Sequence, residues 1–459
     1  MAAKRPVVAV FDIGKTNKKV FLFDEDYRIV WEETRSFDEI TDDEGFPCEN
    51  LELLSNWIRD SFIRFLHSDE FDLRAVNFSA YGASFVHLDK NGNPAAPLYN
   101  YLKTYPPDLQ EQFFFRYGGE ERLCVETSSP AMGFLNAGLQ LYWLKHRKQT
   151  IFKNIRRSVP LPQYLSYLFT GRLYTEITYL GSHSLLWDFR LNDYHRWVRT
   201  ERLHTRLAPF QSGEQVIRGV WEGKRVAIGA GLHDSSAAVI PYLFSFPGPF
   251  AIISTGTWCI SLHPFNRELP DATELKKGCL AYLSYKGDPV KTAMLFAGND
   301  HAVQVKRIAD HFAVPTDFYR TTGYDPLLID QLETMGRTSG ADERPFKGGT
   351  DPSAFCARDL SSFRSPAAAY HRLLLDIVAQ QAASTRQVLE NAAVKQVFVD
   401  GGFCRNQVYM HLLARAFPEQ EIFAASMAQA TALGAALAIH DQWNSRPVPP
   451  SLIGLKKYR

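Results

Sequence analysis

The sequence predicts an α/β protein built from two related domains, residues 1–244 and 245–459. Three observations carry this. At 459 residues the chain is longer than one hydrophobic core usually organises. Apolar runs of strand length alternate with longer runs at helical spacing. A strand–glycine turn–strand pattern near the start, "AVFDIGKTNKKVFLFD", recurs after the break "FSFPGP" (244–249) as "FAIISTGTWCISLHPF". One pattern at the head of each half points to duplication.

The first strand ends in Asp12 and turns at Gly14, and "KVFLFD" returns as the second strand. Lys15, Lys18 and Lys19 beside Thr16 and Asn17 make this turn a candidate anion site. It is not a phosphate loop of the GxxxxGKT kind: residue 9 is Ala9, and a strand rather than a helix follows. Backbone N–H groups and hydroxyls of such a turn can still meet phosphates, and a carboxylate such as Asp12 can hold hydrated Mg²⁺. A plain hairpin whose lysines face water is the alternative.

After the acidic, turn-rich stretch "DEITDDEGFPCEN", residues 51–67 carry apolar positions at helical spacing. A strand around Val76–Ser79 follows, then a break at Gly82, a short strand and a turn at "KNGNP". "LNAGLQLYWLKHRKQTIFKNI" reads as helical, and "RVAIGAGLHDSSAAVIPYL" as strand, glycine turn and helix. Asp234 followed by "SSAAVI" is a helix start, so the acid is an N-cap, a reactive group, or both.

In the second half a long helix covers roughly 366–391, "VKQVFVDGGFCRN" is a strand running into Gly401 and Gly402, and a helix begins at Asn406. A strand near Ile422 precedes "MAQATALGAALAIH", whose small residues admit close approach of a backbone or a flat ligand. This helix is expected behind the third glycine turn.

With 51 Lys+Arg against 50 Asp+Glu, the net charge of +1 gives no global attraction to nucleic acid or anionic membrane. No run of about 18 apolar residues is present. "MAAKRPVVAVFDIG" lacks the h-region and cleavage site of a signal peptide. The six cysteines form no CxxC pair or Cys/His cluster, which reads as reduced thiols in the cytoplasm.

Three glycine turns after strands, "DIGKTN" (12–17), "STGTW" (254–258) and "DGGFCRN" (400–406), are each ordinary turn chemistry, but their order across two halves is distinctive. With them, residues 139–171, with W-L-K and a closing F-T-G, 175–197, beginning T-E, and "GLHDSSAAV" make the sequence resemble the FGGY family of carbohydrate kinases over nearly the whole chain. "GLHD", "SAYGASFVHLD" and "PAMGFLN" are most similar to its rhamnulose and fuculose kinases.

The resemblance implies two ribonuclease H-like domains of the actin/hexokinase type with an interdomain cleft, closing over bound sugar to keep water from the γ-phosphate. It implies ATP and Mg²⁺ as cofactors. The first domain would hold the sugar site and the catalytic base, and the second the nucleotide. Asp234 would be the base and Asp12 the metal ligand. Gly14, Lys15, Thr16, Asn17, Thr255, Gly256 and Thr257 would meet phosphates. Gly401 and Gly402 would border the nucleoside, with Asn406 touching adenosine or capping its helix. Gly82, Ala83, His233, Asp234 and Asn299 would contact the sugar, expected to be a 6-deoxyketohexose, with xylulose, ribulose or glycerol as alternatives. The partners implied are sugar and ATP, not nucleic acid or membrane, with a homodimer admitted. A non-catalytic binding regulator on the same scaffold would need neither Asp12 nor Asp234.

Three departures from the family pattern stand out. Lys15 replaces a small residue, which gives it either a phosphate contact or a place in solvent. "LYNYLKTYP" lacks the acid and arginine of the family's W-x-D-x-R element. Phe403 replaces a third glycine, which would narrow the nucleotide side.

Overall fold

The computed structural model describes residues 3–339, 346, 348–390, 393–427 and 429–459. Two compact units divide the chain. The first is Met1–Ser245 with Ala281–Pro289 and Ala428–Leu452; the second is Phe246–Leu280, Val290–Met427 and Ile453–Arg459.

In the first unit β1 (Arg5–Ile13) pairs antiparallel with β2 (Lys18–Asp24), which pairs antiparallel with β3 (Ile29–Arg35). The chain then crosses through α1 (Leu51–Leu66) to β4 (Phe71–Ala80), parallel to β1. A parallel neighbour demands such a crossover, whereas β1 and β2 need only a tight turn. Further on come a short helix α2 (Ile177–Leu180), β5 (Val216–Trp221), β6 (Lys224–Gly229), β7 (Leu232–His233) and the short α3 (Asp234–Ala237). The sheet order is β5-β6-β4-β1-β2-β3, with β7 also on β4. Val7 through Phe11 are fully buried, as a central strand covered on both faces should be. In α1 the side chain of Asn50 accepts from the Leu53 N–H at 3.1 Å, and Leu54, Ile58 and Phe62 face the core.

The second unit repeats the plan. β8 (Phe250–Thr255), β9 (Cys259–His263), β10 (Cys279–Leu283, which from Ala281 on belongs to the first unit) and β11 (Pro289–Leu295) come first, and α4 (Ala297–Phe312) and the 24-residue α5 (Pro366–Leu389) follow. β12 (Gln396–Gly401), α6 (Gln407–Ala416) and β13 (Glu421–Ser426) complete it, and the sheet order is β10-β11-β9-β8-β12-β13 plus an edge strand. In each unit a hairpin strand leads to parallel partners through helical crossovers, so the repeated strand–turn–strand motif marks a repeated ribonuclease H-like sheet.

Two elements differ from the sequence expectation. The small-residue helix α7 (Ala430–Ala438) belongs to the first unit, packed on β1, β4 and α3, whereas the third glycine turn belongs to the second. Its small residues serve backbone packing: a Cβ on Gly434 would fall 1.9 Å from the Ala237 carbonyl, and Asn77 Nδ2 donates to the Ala435 carbonyl at 2.7 Å. The edge strand β14 (Gly454–Tyr458), antiparallel to β13, was not expected, because "GLKKY" has no apolar alternation to betray a strand. Among the described residues no helix is long and apolar enough to cross a membrane, and Cys48, Cys124, Cys259, Cys279 and Cys404 are free thiols.

Candidate functional site

The β1–β2 turn is closed by the Gly14 N–H donating to the Asn17 carbonyl at 3.0 Å, with Thr16 and Asn17 exposed. Its lysines are not a cationic cluster open to an anion. Lys15 is ion-paired with Glu39. Lys18 is buried, 2.8 Å from Glu49, and donates to the Lys15 carbonyl at 3.0 Å. Lys19, opposite Asp12 in the strand register, donates to Gln429 Oε1 at 3.3 Å. Lys15, read as either a phosphate contact or a solvent-facing cation, is engaged here by an acid 24 residues away.

Asp12 stands beside Ser79 of β4 and lies in the field of Asp234. Burial, and next the Asp234 charge, push its carboxyl from 3.8 up to about 7, while Lys19 pulls it down. Two carboxylates held this way suit a cation, which would relieve their repulsion. No three His, Cys, Asp or Glu side chains among the described residues form a ready metal cage, so Asp12 would hold Mg²⁺ with water and phosphate oxygens completing the shell.

This arrangement has a stability consequence. Because the native carboxyl binds its proton more tightly than the unfolded one, Asp12 makes the fold progressively less stable as pH rises from about 4 to about 7, and the cost is fully present above that. Asp12→Asn removes it. Its melting temperature should exceed that of wild type by roughly 2 °C or more at pH 8, and the difference should vanish near pH 4, as read by scanning calorimetry without added metal. Equal melting temperatures at pH 8 would contradict the assignment.

Asp234 is the first residue of α3, and the N-cap position is that of His233. Asp234 Oδ1 accepts from the Ser235 N–H at 2.5 Å and from Ser235 Oγ at 3.2 Å, and lies 3.3 Å from His233 Nε2. The Asp234 side chain is 35% exposed. The carboxylate therefore braces the helix start while remaining accessible to a proton donor.

Gly82 makes the surroundings possible: a Cβ there would fall 2.8 Å from His233 Nε2 and 2.9 Å from His183 Cε1. Ala83 holds a left-handed φ of 57°, and its carbonyl accepts from Gln140 Nε2 at 2.5 Å. His233, His183 and Tyr282 form a ring cluster, with His233 edge-on to Tyr282 at 5.6 Å. Burial pushes the His183 imidazole down to about 3 and lowers that of His233 against the pull of Asp234, so both are neutral. The Nδ1 atoms of both are enclosed and lack a partner within the described structure. Burial and then the Asp234 charge raise the phenols of Tyr282 and Tyr101, which places both near that carboxylate. No sequence pattern marks His183, Tyr282 or Tyr101 as part of this cluster. Tyr101 lies within "LYNYLKTYP", the stretch that lacks the family's acid and arginine.

In the second unit the Gly256 N–H donates to the Trp258 carbonyl at 2.9 Å, leaving Gly256 and Thr257 exposed. Asn299, expected at the sugar, sits in the first turn of α4, where its N–H donates to the Thr257 carbonyl at 3.1 Å. Gly298 permits this approach, since a Cβ there would lie 1.8 Å from the Gly256 carbonyl.

Thr255 is not available to phosphate through its hydroxyl. That group donates to the Asp400 carbonyl and accepts from the Phe403 N–H at 2.9 Å, and the Thr255 carbonyl accepts from the Gly402 N–H at 2.8 Å. Thr255 instead ties the second glycine turn to the third, where Gly401 and Gly402 remain exposed. Asn406 is a helix cap: Oδ1 accepts from the Tyr409 N–H at 3.1 Å and Nδ2 donates to Tyr370 Oη at 2.6 Å. Phe403 does not narrow an open surface, for it is buried and stacks on Tyr409 at 4.6 Å.

Known proteins match this architecture. The FGGY family's N-terminal domain model matches residues 7–201, and its C-terminal domain model matches 247–447. The rhamnulokinase of Mannheimia succiniciproducens is 26% identical over 267 residues, 55% of this chain and 52% of that protein. The rhamnulokinase of Bacteroides thetaiotaomicron is 25% identical over 209 residues, 41% of this chain and 40% of that protein. The chain thus spans about half the length, or less, of these curated relatives. The crystal structure of a carbohydrate kinase from Novosphingobium aromaticivorans matches in fold with a TM-score of 0.79 at 21% identity, covering 99% of this chain and 94% of that one. A xylulose kinase from Lactobacillus acidophilus matches with a TM-score of 0.77 at 14% identity, covering 99% and 93%. With a domain model of the family on each half and the repeated sheet beneath both, this chain belongs to the FGGY family of carbohydrate kinases.

Proposed function

We propose that this chain is an ATP-dependent, Mg²⁺-using kinase that transfers the γ-phosphoryl group to a hydroxyl of a small neutral ketose, and specifically a 6-deoxyketohexose such as L-rhamnulose or L-fuculose. The observation that carries the reading is Asp234: a partly exposed carboxylate 3.3 Å from a neutral, buried imidazole. A sugar hydroxyl is a weak nucleophile near neutral pH, and a carboxylate within hydrogen-bond reach accepts its proton as the O–P bond forms and ADP departs. Mg²⁺, when bound, neutralises phosphate charge. Asp12 would hold it, and within each unit the glycine turns, Gly14–Asn17 in the first and Gly256–Thr257 and Gly401–Gly402 in the second, would offer donors to phosphate oxygens. Neutral histidines and tyrosines near Asp234 offer hydrogen bonds to hydroxyls and apolar faces to C–H groups, which suits an uncharged sugar better than a sugar acid. The rhamnulokinase matches favour the deoxyketose within that class. Free thiols at Cys48, Cys124, Cys259, Cys279 and Cys404 and an ATP requirement suit the cytoplasm.

A coupled ADP-release assay over L-rhamnulose, L-fuculose, D-xylulose, L-ribulose, glycerol and gluconate tests this. We expect kcat/KM for a 6-deoxyketohexose to exceed the others by about tenfold or more. A best substrate among xylulose, ribulose or glycerol would move the sugar assignment, and no turnover of any would remove the kinase reading.

A further inference from the structure

Behind Asp234 lies a second tier of polar groups that no proton transfer uses directly. Glu176, fully buried at the N-cap of α2, accepts through Oε2 from the Thr178 N–H at 2.9 Å and from the Thr178 hydroxyl. That hydroxyl in turn accepts from the His233 backbone N–H at 3.0 Å. His233 is the residue before Asp234, and its ring stands 3.3 Å from the Asp234 carboxylate. The chain of contacts is Glu176, Thr178, His233, Asp234, all inside the first unit.

A hydroxyl has one hydrogen and two lone pairs. With its hydrogen committed to Glu176, the Thr178 oxygen can only present a lone pair to the His233 N–H. Without that acceptor the Thr178 side chain is freer to turn about χ1, and the N–H of His233, the residue before α3, loses an acceptor held in place. Glu176 Oε1 is enclosed and has no partner within the described structure. Gly213 lies alongside, where an added Cβ would come within 3.0 Å of that oxygen. An ionised carboxylate with one oxygen unanswered is costly to bury, and burial lifts this carboxyl up to about 8, opposed by the Thr178 hydrogen bonds. Glu176 is therefore a neutral, rigid acceptor near pH 7 and not a second charge beside Asp234.

We propose that Glu176 and Thr178 are positioning residues: Glu176 orients the Thr178 hydroxyl, which pins the His233 amide and so fixes the direction in which Asp234 meets its proton donor. The catalytic part of this inference rests on the kinase reading above, whereas the pinning itself does not.

The experiment has two arms on the full chain. In the first, amide exchange of His233 is followed by NMR in wild type, Thr178→Val, Thr178→Ser and Glu176→Gln. Thr178→Val keeps shape and loses the acceptor, so exchange at His233 should quicken by about tenfold or more beyond the change at core amides elsewhere in the first unit, and Thr178→Ser should restore protection. Glu176→Gln keeps an acceptor for the hydroxyl and should quicken exchange less than Thr178→Val. Equal exchange in Thr178→Val and wild type would overturn the pinning. In the second arm, with whichever sugar wild type turns over, Thr178→Val should lower kcat by about 10–100-fold with the KM for ATP unchanged, and Thr178→Ser should recover most of it. The double variant Thr178→Val/Glu176→Gln should be no worse than Thr178→Val alone, because the two act in series. An additive double variant, or a loss confined to KM, would overturn the positioning role. If wild type phosphorylates no sugar, the kinase reading fails while the exchange arm still decides the pinning.

Discussion

Asp234→Asn is expected to lower kcat by roughly 10²–10⁴-fold or more while leaving the KM for ATP within about threefold, measured by coupled ADP release with the best ketose from the panel. The size of the loss follows from what the substitution spares. Asparagine has the volume of aspartate, and its Oδ1 can still accept from the Ser235 N–H and Oγ, so the start of α3 keeps its brace. What it cannot do is take a proton from an attacking hydroxyl. The neighbour cannot substitute. The buried imidazole of His233 is depressed below its ordinary range, so protonating it costs more than in water, and its Nδ1 is sealed from solvent. Burial, and next the Asp234 charge, lift the Asp12 carboxyl up to about 7, but the base role would remove it from metal binding. A variant within tenfold of wild type would show that the proton leaves by another route and that Asp234 only braces the start of α3.

Much of this was legible because it is local. The β1–β2 hairpin, its turn at Gly14 and the repeat at Gly256 follow from strand-length apolar runs interrupted by glycine, and α1 from its apolar spacing. The resemblance supplied Asp234 from a short contiguous motif, "GLHD". What escaped is what the fold assembles from distant segments. The three lysines of "GKTNKK" look like one cationic patch, yet Glu39, Glu49 and Gln429 each engage one of them. Thr255 has the type and turn of a phosphate contact, but its hydroxyl is used up by Asp400 and Phe403, about 150 residues away. The glycines and alanines of α7 fit a flat ligand as well as a close backbone, and only the approach of Gly434 to Ala237 decides. Glu176 sits in "TEITYL" as one acid among many until burial and Thr178 distinguish it. Composition reveals residue types, while hydrogen-bond partners depend on a topology that brings β8 against β12 and α7 against β1.

The second large effect concerns the glycine pair of the third turn, where two adjacent residues of the same type should answer very differently to the same change. Gly401 has φ +81°, and a Cβ there would lie 1.9 Å from the Thr255 carbonyl oxygen and 2.8 Å from its carbon. Alanine at this position carries the left-handed penalty of about 1–2 kcal/mol and an overpacking cost of about 1–3 kcal/mol. Neither can be relieved cheaply. Gly401 is paired with Thr255 at the end of the parallel β8–β12 ladder, and the Thr255 carbonyl already receives the Gly402 N–H at 2.8 Å. Moving either strand would also break the Thr255 hydroxyl's bonds to Asp400 and Phe403. Gly402, with negative φ and 3.9 Å to the same oxygen, has ordinary contact distance for a methyl group. In urea unfolding of the second unit, Gly401→Ala should therefore destabilise by about 2–5 kcal/mol and Gly402→Ala by no more than about 1 kcal/mol. Where Gly401→Ala stays folded, the KM for ATP should rise by about tenfold or more, because the splice that aligns the second and third turns is displaced. Equal losses in the two variants would mean that the turn yields as a whole and that the close approach at Thr255 does not set its shape.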